Sequence, residues 1–301
     1  MKKLVAAAFA ASLMSAFAEA QETKEEKSTA KAEAIEQEDS GAPILWGFVN
    51  YGFYSGYQLY GSLVNPDPTL QGYAEINANL IFGDLDLGYF GPGVWSNTDL
   101  TRRRENLRGA FNEWDFNIHW GRMFWIDDDK TWGVDYRTTM VWYYYPPRGG
   151  DHPNTKTTFD WNHSFALVNP YVIPFLDVIH EYTGHGTLLQ FGLKRPFQIT
   201  DEFSLVPSIT FVGRNQYYGW CFPNYGKDPE TGDNISGGLA TMRIQLDATY
   251  MFTKWIGMFA KVGYNCVTQG QLRDACDNRW PDAYGTAKDF AWGGFGVCVN
   301  F

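Results

Sequence analysis

The sequence has little of what catalytic or nucleic-acid-binding chains usually display. It contains no Gly-x-Ser-x-Gly elbow, no His-Glu-x-x-His pair and no glycine-rich phosphate loop, so hydrolase, metalloprotease and nucleotide chemistry have no motif to rest on. There are five histidines. His152, His163, His180 and His185 are near enough in sequence for a loop metal site to be weighed. Solvated or hydrogen-bonded imidazoles are the expectation, and no metal, cofactor or catalytic residue is assigned. Lys and Arg number 24 against 34 Asp and Glu, a net charge of -10, which argues against a nucleic-acid partner. Beyond Phe17 no apolar run is long enough for a helix to cross a bilayer. Cysteine is sparse: Cys221, Cys266, Cys276 and Cys298.

What is present starts with two lysines, an apolar stretch from Leu4 to Phe17 and a small-x-small site at Ala18-Glu19-Ala20. That order is expected of a secretory signal peptide over 1–20. Residues 21–45 are charged, Ala-rich and free of aromatics. They cannot bury enough apolar area to offset ordering, and a disordered periplasmic tether is expected, with a short helix as the alternative.

From Trp46 the composition becomes aromatic and Gly-rich. Trp114, Phe116, Ile118 and Trp120 alternate with Glu113, Asp115, Asn117 and His119. Met242, Ile244, Leu246, Ala248, Tyr250 and Phe252 alternate with Thr241, Arg243, Gln245, Asp247 and Thr249, and Ala74, Ile76, Ala78 and Leu80 with Glu75, Asn77 and Asn79. This period of two marks strands with one apolar and one polar face. Twelve are expected: 46–56, 69–82, 84–97, 108–121, 131–145, 156–166, 170–180, 186–197, 203–213, 237–252, 256–266 and 289–301.

Alternation alone also fits a soluble sandwich or a lipocalin-type barrel, but loop length separates the cases. The even-numbered connections are short, and the odd-numbered ones are mostly long. Short turns at one end and long loops at the other are the pattern of a transmembrane antiparallel up-and-down β-barrel. The expected fold is therefore an all-β outer-membrane barrel over 46–301, periplasmic at both termini. Its girdles would be Trp120, Phe124 and Trp125 on the periplasmic side and Trp142, Tyr143, Tyr144 and Tyr145 outside.

If the apolar parity faces lipid, the polar parity lines the lumen. The pore-lining set is then Glu75, Asn77, Asn79, Glu113, Asp115, Asn117, His119, Asp135, Arg137, Asp160, Lys194, Arg243, Asp247 and Lys261. Its charges are mixed rather than a single-sign ring. The expected function is a porin-like channel for passive diffusion of small hydrophilic solutes, weakly cation-preferring or neutral. The alternatives are a nucleoside-type channel or a non-conducting adhesin. Glu113 and Asp115 project to one side of a strand, with Arg137 on the neighbouring strand as the expected counter-charge. Arg102, Arg103 and Arg104 fall in an expected outer loop, where lipopolysaccharide phosphates could meet them, although a solvated charge run is the simpler view. Of the cysteines, Cys221 with Cys276 or Cys266 with Cys276 is the expected loop bridge. Cys298, lower in the wall, is expected to be a lumen-facing thiol.

The alternating run ending at Phe301 resembles the C-terminal signal of bacterial outer-membrane proteins. That resemblance implies recognition of Phe301 by the barrel-assembly machinery. Leu70-Gln71-Gly72, Trp95-Ser96-Asn97 and Glu113-x-Asp115 are similar to segments of the TorF-like porin family. The similarity covers about the first third of the expected barrel and implies no particular solute.

Overall fold

The computed structural model describes residues 45–59, 62–65, 67–83, 85–100, 113–144, 157–182, 185–215, 236–273 and 289–301. The strands are β1 (Leu45–Tyr54), β2 (Tyr57–Leu59), β3 (Ser62–Asn65), β4 (Thr69–Phe82) and β5 (Leu85–Asp99). They continue as β6 (Glu113–Trp125), β7 (Gly133–Tyr144), β8 (Thr157–Val168), β9 (Ile173–Glu181) and β10 (Gly186–Lys194). The last are β11 (Phe197–Gln198), β12 (Phe203–Arg214), β13 (Gly238–Met251), β14 (Ile256–Val267) and β15 (Asp289–Asn300).

Twelve of these form one antiparallel meander, and it closes on itself. Consecutive pairing runs from β4 to β10 and from β12 to β15; β1 joins β4 to β15, and β10 joins β12. Closure leaves no unpaired edge, which is the condition for a sheet to sit in lipid. The β1–β15 seam is held at its base by two reciprocal hydrogen bonds, Gly47 N to Phe301 O at 2.8 Å and Phe301 N to Gly47 O at 3.0 Å. Gly47 is required there: a Cβ would lie 2.7 Å from Cζ of the Phe301 ring that covers it.

Burial is inverted relative to a soluble domain. Ile76, Phe116, Ile244, Phe295 and Val297 are exposed, while Asn77, Asn265, Thr69 and Glu113 are buried. The apolar parity thus faces outward and the polar parity inward on every long strand whose alternation was evident. Turns cluster at the Phe301 end: Gly83, the segment around Asp127, Asn169 to Val172, and Thr253 with Trp255. Trp125, Trp132, Tyr171 and Trp255 are exposed around that end, and Trp142, Tyr144 and Tyr182 around the other.

Two elements depart from expectation. β6 runs to Trp125 instead of stopping at Gly121, because Arg122 to Trp125 keep pairing with Gly133 to Tyr136. The turn therefore slides into the aspartate run, where Asp127 Oδ1 accepts from Thr131 N and Trp132 N at 2.9 Å each and Lys130 takes φ 52°. The expected start of this strand, 108–112, lies outside the described residues. The second departure is the β2–β3 hairpin within the first long connection.

Candidate functional site

The interior divides into an open part and a filled part. The open part is a cavity of about 740 Å³ bounded mainly by β1, β4, β13, β14 and β15. Its charged lining is Arg243, Asp247 and Lys261, and its neutral polar lining includes Gln58, Gln71 and Gln245. β14 and β15 turn glycines inward here, and aromatic rings lie over them. At Gly263 a Cβ would sit 2.6 Å from the Trp292 ring that lies against the wall there. An aromatic laid over a strand glycine fills the missing side chain and stiffens the wall.

The β2–β3 hairpin enters the loop end of this cavity. Tyr57 packs on Trp95 with ring centroids 5.4 Å apart. Asn265 Nδ2 donates to Gln58 Oε1 at 3.1 Å, and Trp292 Nε1 donates to Asn265 Oδ1 at 2.9 Å. Gln58 is thereby fixed to the far wall, and the hairpin narrows the opening.

Below that contact the charges are unevenly satisfied. Gln245 Nε2 donates to both oxygens of Asp247 at 2.8 Å, and Lys261 Nζ stands 3.8 Å from Asp247 Oδ1. Arg243 has no hydrogen bond or ion pair with any described residue, and its Nε is buried without a partner. Asp247 and Asp177 are the acids whose field reaches it.

Beside the cavity, Glu75 anchors a polar cluster. Its Oε2 accepts from Tyr73 Oη at 2.5 Å and from Arg137 Nη2 at 2.8 Å, and its Oε1 accepts from Asn77 Nδ2 at 2.9 Å. Arg137 Nη2 also donates to Tyr73 Oη at 3.2 Å. His119 joins through Nε2, 2.6 Å from Asn77 Oδ1, and Nδ1, 3.1 Å from Asn117 Oδ1. Asn77 gives its amide nitrogen to Glu75, so its oxygen must accept from the Nε2 proton of His119. Glu75 is 3% exposed and Asn77 0%. A carboxylate so buried is tolerable because Tyr73, Asn77 and Arg137 all donate to it.

The filled part lies toward the loop end of β6 to β12. Glu113, Asp160 and Glu181 are buried, Asp115 lies in the field of Glu113 and Asp160, and Tyr143 Oη donates to Asp160 Oδ2 at 2.9 Å. Ile179, Leu188 and Val212 form an apolar cluster that also faces inward. Next to it Arg214 is buried, and Nε, Nη1 and Nη2 find no acceptor among the described residues.

The expected site residues thus separate into groups. Glu75, Asn77, Asn117, His119 and Arg137 share one network, while Asn79 stands apart, accepting from Trp46 Nε1 at 2.9 Å. Arg243, Asp247 and Lys261 line the cavity. Glu113, Asp115 and Asp160 lie in the filled part. Asp135 is in the field of Lys194 and Arg137.

Three expectations are corrected. Arg137 does not neutralise Glu113 and Asp115: the register places it opposite Gly121, six residues along β6 from Asp115, and its partner is Glu75. Tyr143 is not a girdle residue, because it shares the inward parity of Arg137 and Val141; Trp142 and Tyr144 do face outward, and Tyr145 lies outside the described residues. Cys266 is a free thiol, which removes the Cys266–Cys276 bridge; Cys221 and Cys276 lie outside the described residues. Cys298 is buried and free, with Sγ 3.9 Å from Met251 Sδ on the cavity side.

Among the described residues no group of three His, Cys, Asp or Glu could hold a metal. His163 Nδ1 is 2.9 Å from Tyr136 Oη and His180 Nδ1 3.1 Å from Thr187 Oγ1, while His185 sits at φ 56° in a tight turn. His152 and Arg102 to Arg104 lie outside the described residues, as do 1–44. Tyr73, Gln58, Asp177 and Glu181 also face the interior, and the expected pore-lining set omits them. Asp177 and Glu181 share a parity with Ile179, and that shared parity was the one available signal.

No family model matches the chain, and no curated protein matches it. The similarity to TorF-like porins therefore remains one of short segments. Among solved structures the barrel is similar to outer membrane phospholipase A from Escherichia coli, with TM-score 0.42 and 12% identity over 85% of this chain and 93% of that one. An outer membrane channel from Pseudomonas putida F1 gives TM-score 0.44 and 9% identity over 88% and 99%. The NanC porin gives 0.44 and 11% over 84% and 98%. The likeness is to barrel architecture; by name the three are an enzyme and two channels.

Proposed function

We propose that the chain is an outer-membrane channel through which small hydrophilic solutes diffuse passively. The observation that carries this reading is the cavity itself, a polar space of about 740 Å³ running inside a closed barrel whose outer wall is apolar. An apolar exterior with aromatic residues at both ends suits a bilayer and its interfaces. A cavity lined by amides, a carboxylate and two cations suits water and polar solutes. The export signal expected over 1–20, the pattern ending at Phe301 and the TorF-like segments support placement in a bacterial outer membrane with the turn end periplasmic. Lipopolysaccharide would then surround the loop end, and Phe301 would serve the barrel-assembly machinery.

A second reading has one observation in its favour. Ile179, Leu188 and Val212 fill part of the interior, as side chains do in barrels that do not conduct. Osmotic swelling of liposomes holding the purified chain separates the two. A series of neutral sugars should enter at rates that fall with their size, and swelling no faster than that of protein-free liposomes would favour the non-conducting barrel.

A further inference from the structure

We propose that the cavity is a binding and selectivity site for small organic carboxylates, with Arg243 receiving the carboxylate. The inference deepens the channel reading and rests on it only for passage, not for binding. The chain as a whole is acidic, and carboxylates outnumber cations on the interior face. The cavity is different: its charged lining is two cations, Arg243 and Lys261, against one carboxylate, Asp247.

That carboxylate is already engaged. Gln245 donates to both of its oxygens, and Lys261 lies 3.8 Å away. Asp177, the other acid whose field reaches Arg243, is shared with Lys194 and hydrogen-bonded to Ser164, and Glu75, two residues along β4 from Tyr73, is paired with Arg137. Of the cavity's three charged residues, Arg243 is the one with no hydrogen bond or ion pair to a described residue, and its Nε is buried in the barrel interior. An unpaired guanidinium in such a place has a strong electrostatic preference for an anion, and its planar fork matches a carboxylate in two parallel bonds.

The walls around it favour an organic anion over a bare ion. Trp95, Trp292 and Phe259 present rings to the cavity, and Gln58 and Gln71 present amides. Rings meet a carbon skeleton while amides meet its hydroxyls. The Gln58 to Asn265 contact lies level with Arg243, because Asn265 is the residue paired with it across β13 and β14. A solute entering from the loop end therefore meets the guanidinium where the hairpin reaches across to the wall, and Lys261 lies four residues farther down β14 than Asn265, or about 13 Å along the strand.

Gluconate and sorbitol have similar skeletons and differ in the carboxylate, which makes them the probes. Binding to the full chain in detergent micelles, read by tryptophan fluorescence, should favour gluconate. Arg243→Gln should weaken gluconate binding on the order of tenfold, which is ~1.4 kcal/mol, and leave sorbitol unchanged. Lys261→Gln, a second variant in case the first misfolds, should weaken it less. In planar bilayers under a KCl gradient, the reversal potential of the wild type should report chloride preference, and Arg243→Gln should move it toward potassium. Inorganic phosphate should compete less well than gluconate. Phosphate competing equally would make the site a general anion site and overturn the organic assignment. A conducting but potassium-selective channel that binds gluconate no better than sorbitol overturns the proposal and leaves the channel reading standing. Silent bilayers with Arg243-dependent gluconate binding would do the reverse.

Discussion

Replacing Arg137 with Ala should destabilise the barrel more than replacing Glu75 with Gln, although the two residues form one ion pair. The asymmetry comes from their surroundings: the Glu75 side chain is 1% exposed and that of Arg137 27%. Removing Arg137 strands a buried carboxylate, a loss of roughly 3–5 kcal/mol for a buried pair. Tyr73 and Asn77 still donate to Glu75 and return part of this, so a net cost of about 2–4 kcal/mol is expected. Glu75→Gln leaves a neutral amide among the same donors and a guanidinium that reaches water, for which about 1–2 kcal/mol is expected. Glu75→Gln with Arg137→Met should cost less than the sum of the single changes, giving a coupling of ~1 kcal/mol or more. Urea titration of the folded protein in phospholipid vesicles, read by tryptophan emission and by the mobility difference between unheated and boiled samples, measures each term. If Arg137→Ala costs no more than Glu75→Gln, the buried-carboxylate account of this network is wrong.

Deleting Phe301 removes both hydrogen bonds that tie it to Gly47 and uncovers the glycine; the fraction of compact, unheated-form protein on a gel should fall. Full assembly of the truncated chain at wild-type rate would reduce Phe301 to an ordinary wall residue. Arg214→Leu replaces a buried guanidinium beside Leu188 that has no acceptor among the described residues and should leave stability unchanged or raise it by about 1–3 kcal/mol in the same titration. A loss above ~1 kcal/mol would mean that Arg214 has an anionic partner outside the described residues.

The barrel was legible because its exterior and interior impose opposite demands on alternate residues. Every inward residue of β13, from Arg243 to Thr249, can be picked out by parity alone. Alternation gives the strand count, and loop lengths distinguish the turn end from the loop end. What alternation does not carry is which inward residues meet. Glu75 and Arg137 are 62 residues apart and bridge three strands of curvature, a contact fixed by barrel diameter and side-chain reach. A run of four aromatics, Trp142 to Tyr145, suggests one belt, but a strand sends alternate members to opposite faces, and Tyr143 points inward. The β2–β3 hairpin was invisible because its few residues lie in a Gly- and Pro-punctuated loop with too short an alternation to stand out. The most informative feature of the cavity, the lack of a hydrogen bond or ion pair to Arg243 among the described residues, is defined by what does not surround it, and no local pattern encodes that.

The central claim is that the interior conducts, and single-channel recording of the purified full chain in planar bilayers tests it most directly. The cavity predicts discrete, reproducible current steps that are absent from lipid alone and altered in size or ion preference by Arg243→Gln. Bilayers that stay silent while the same preparation shows the folded, heat-modifiable form would contradict the channel and leave a sealed barrel.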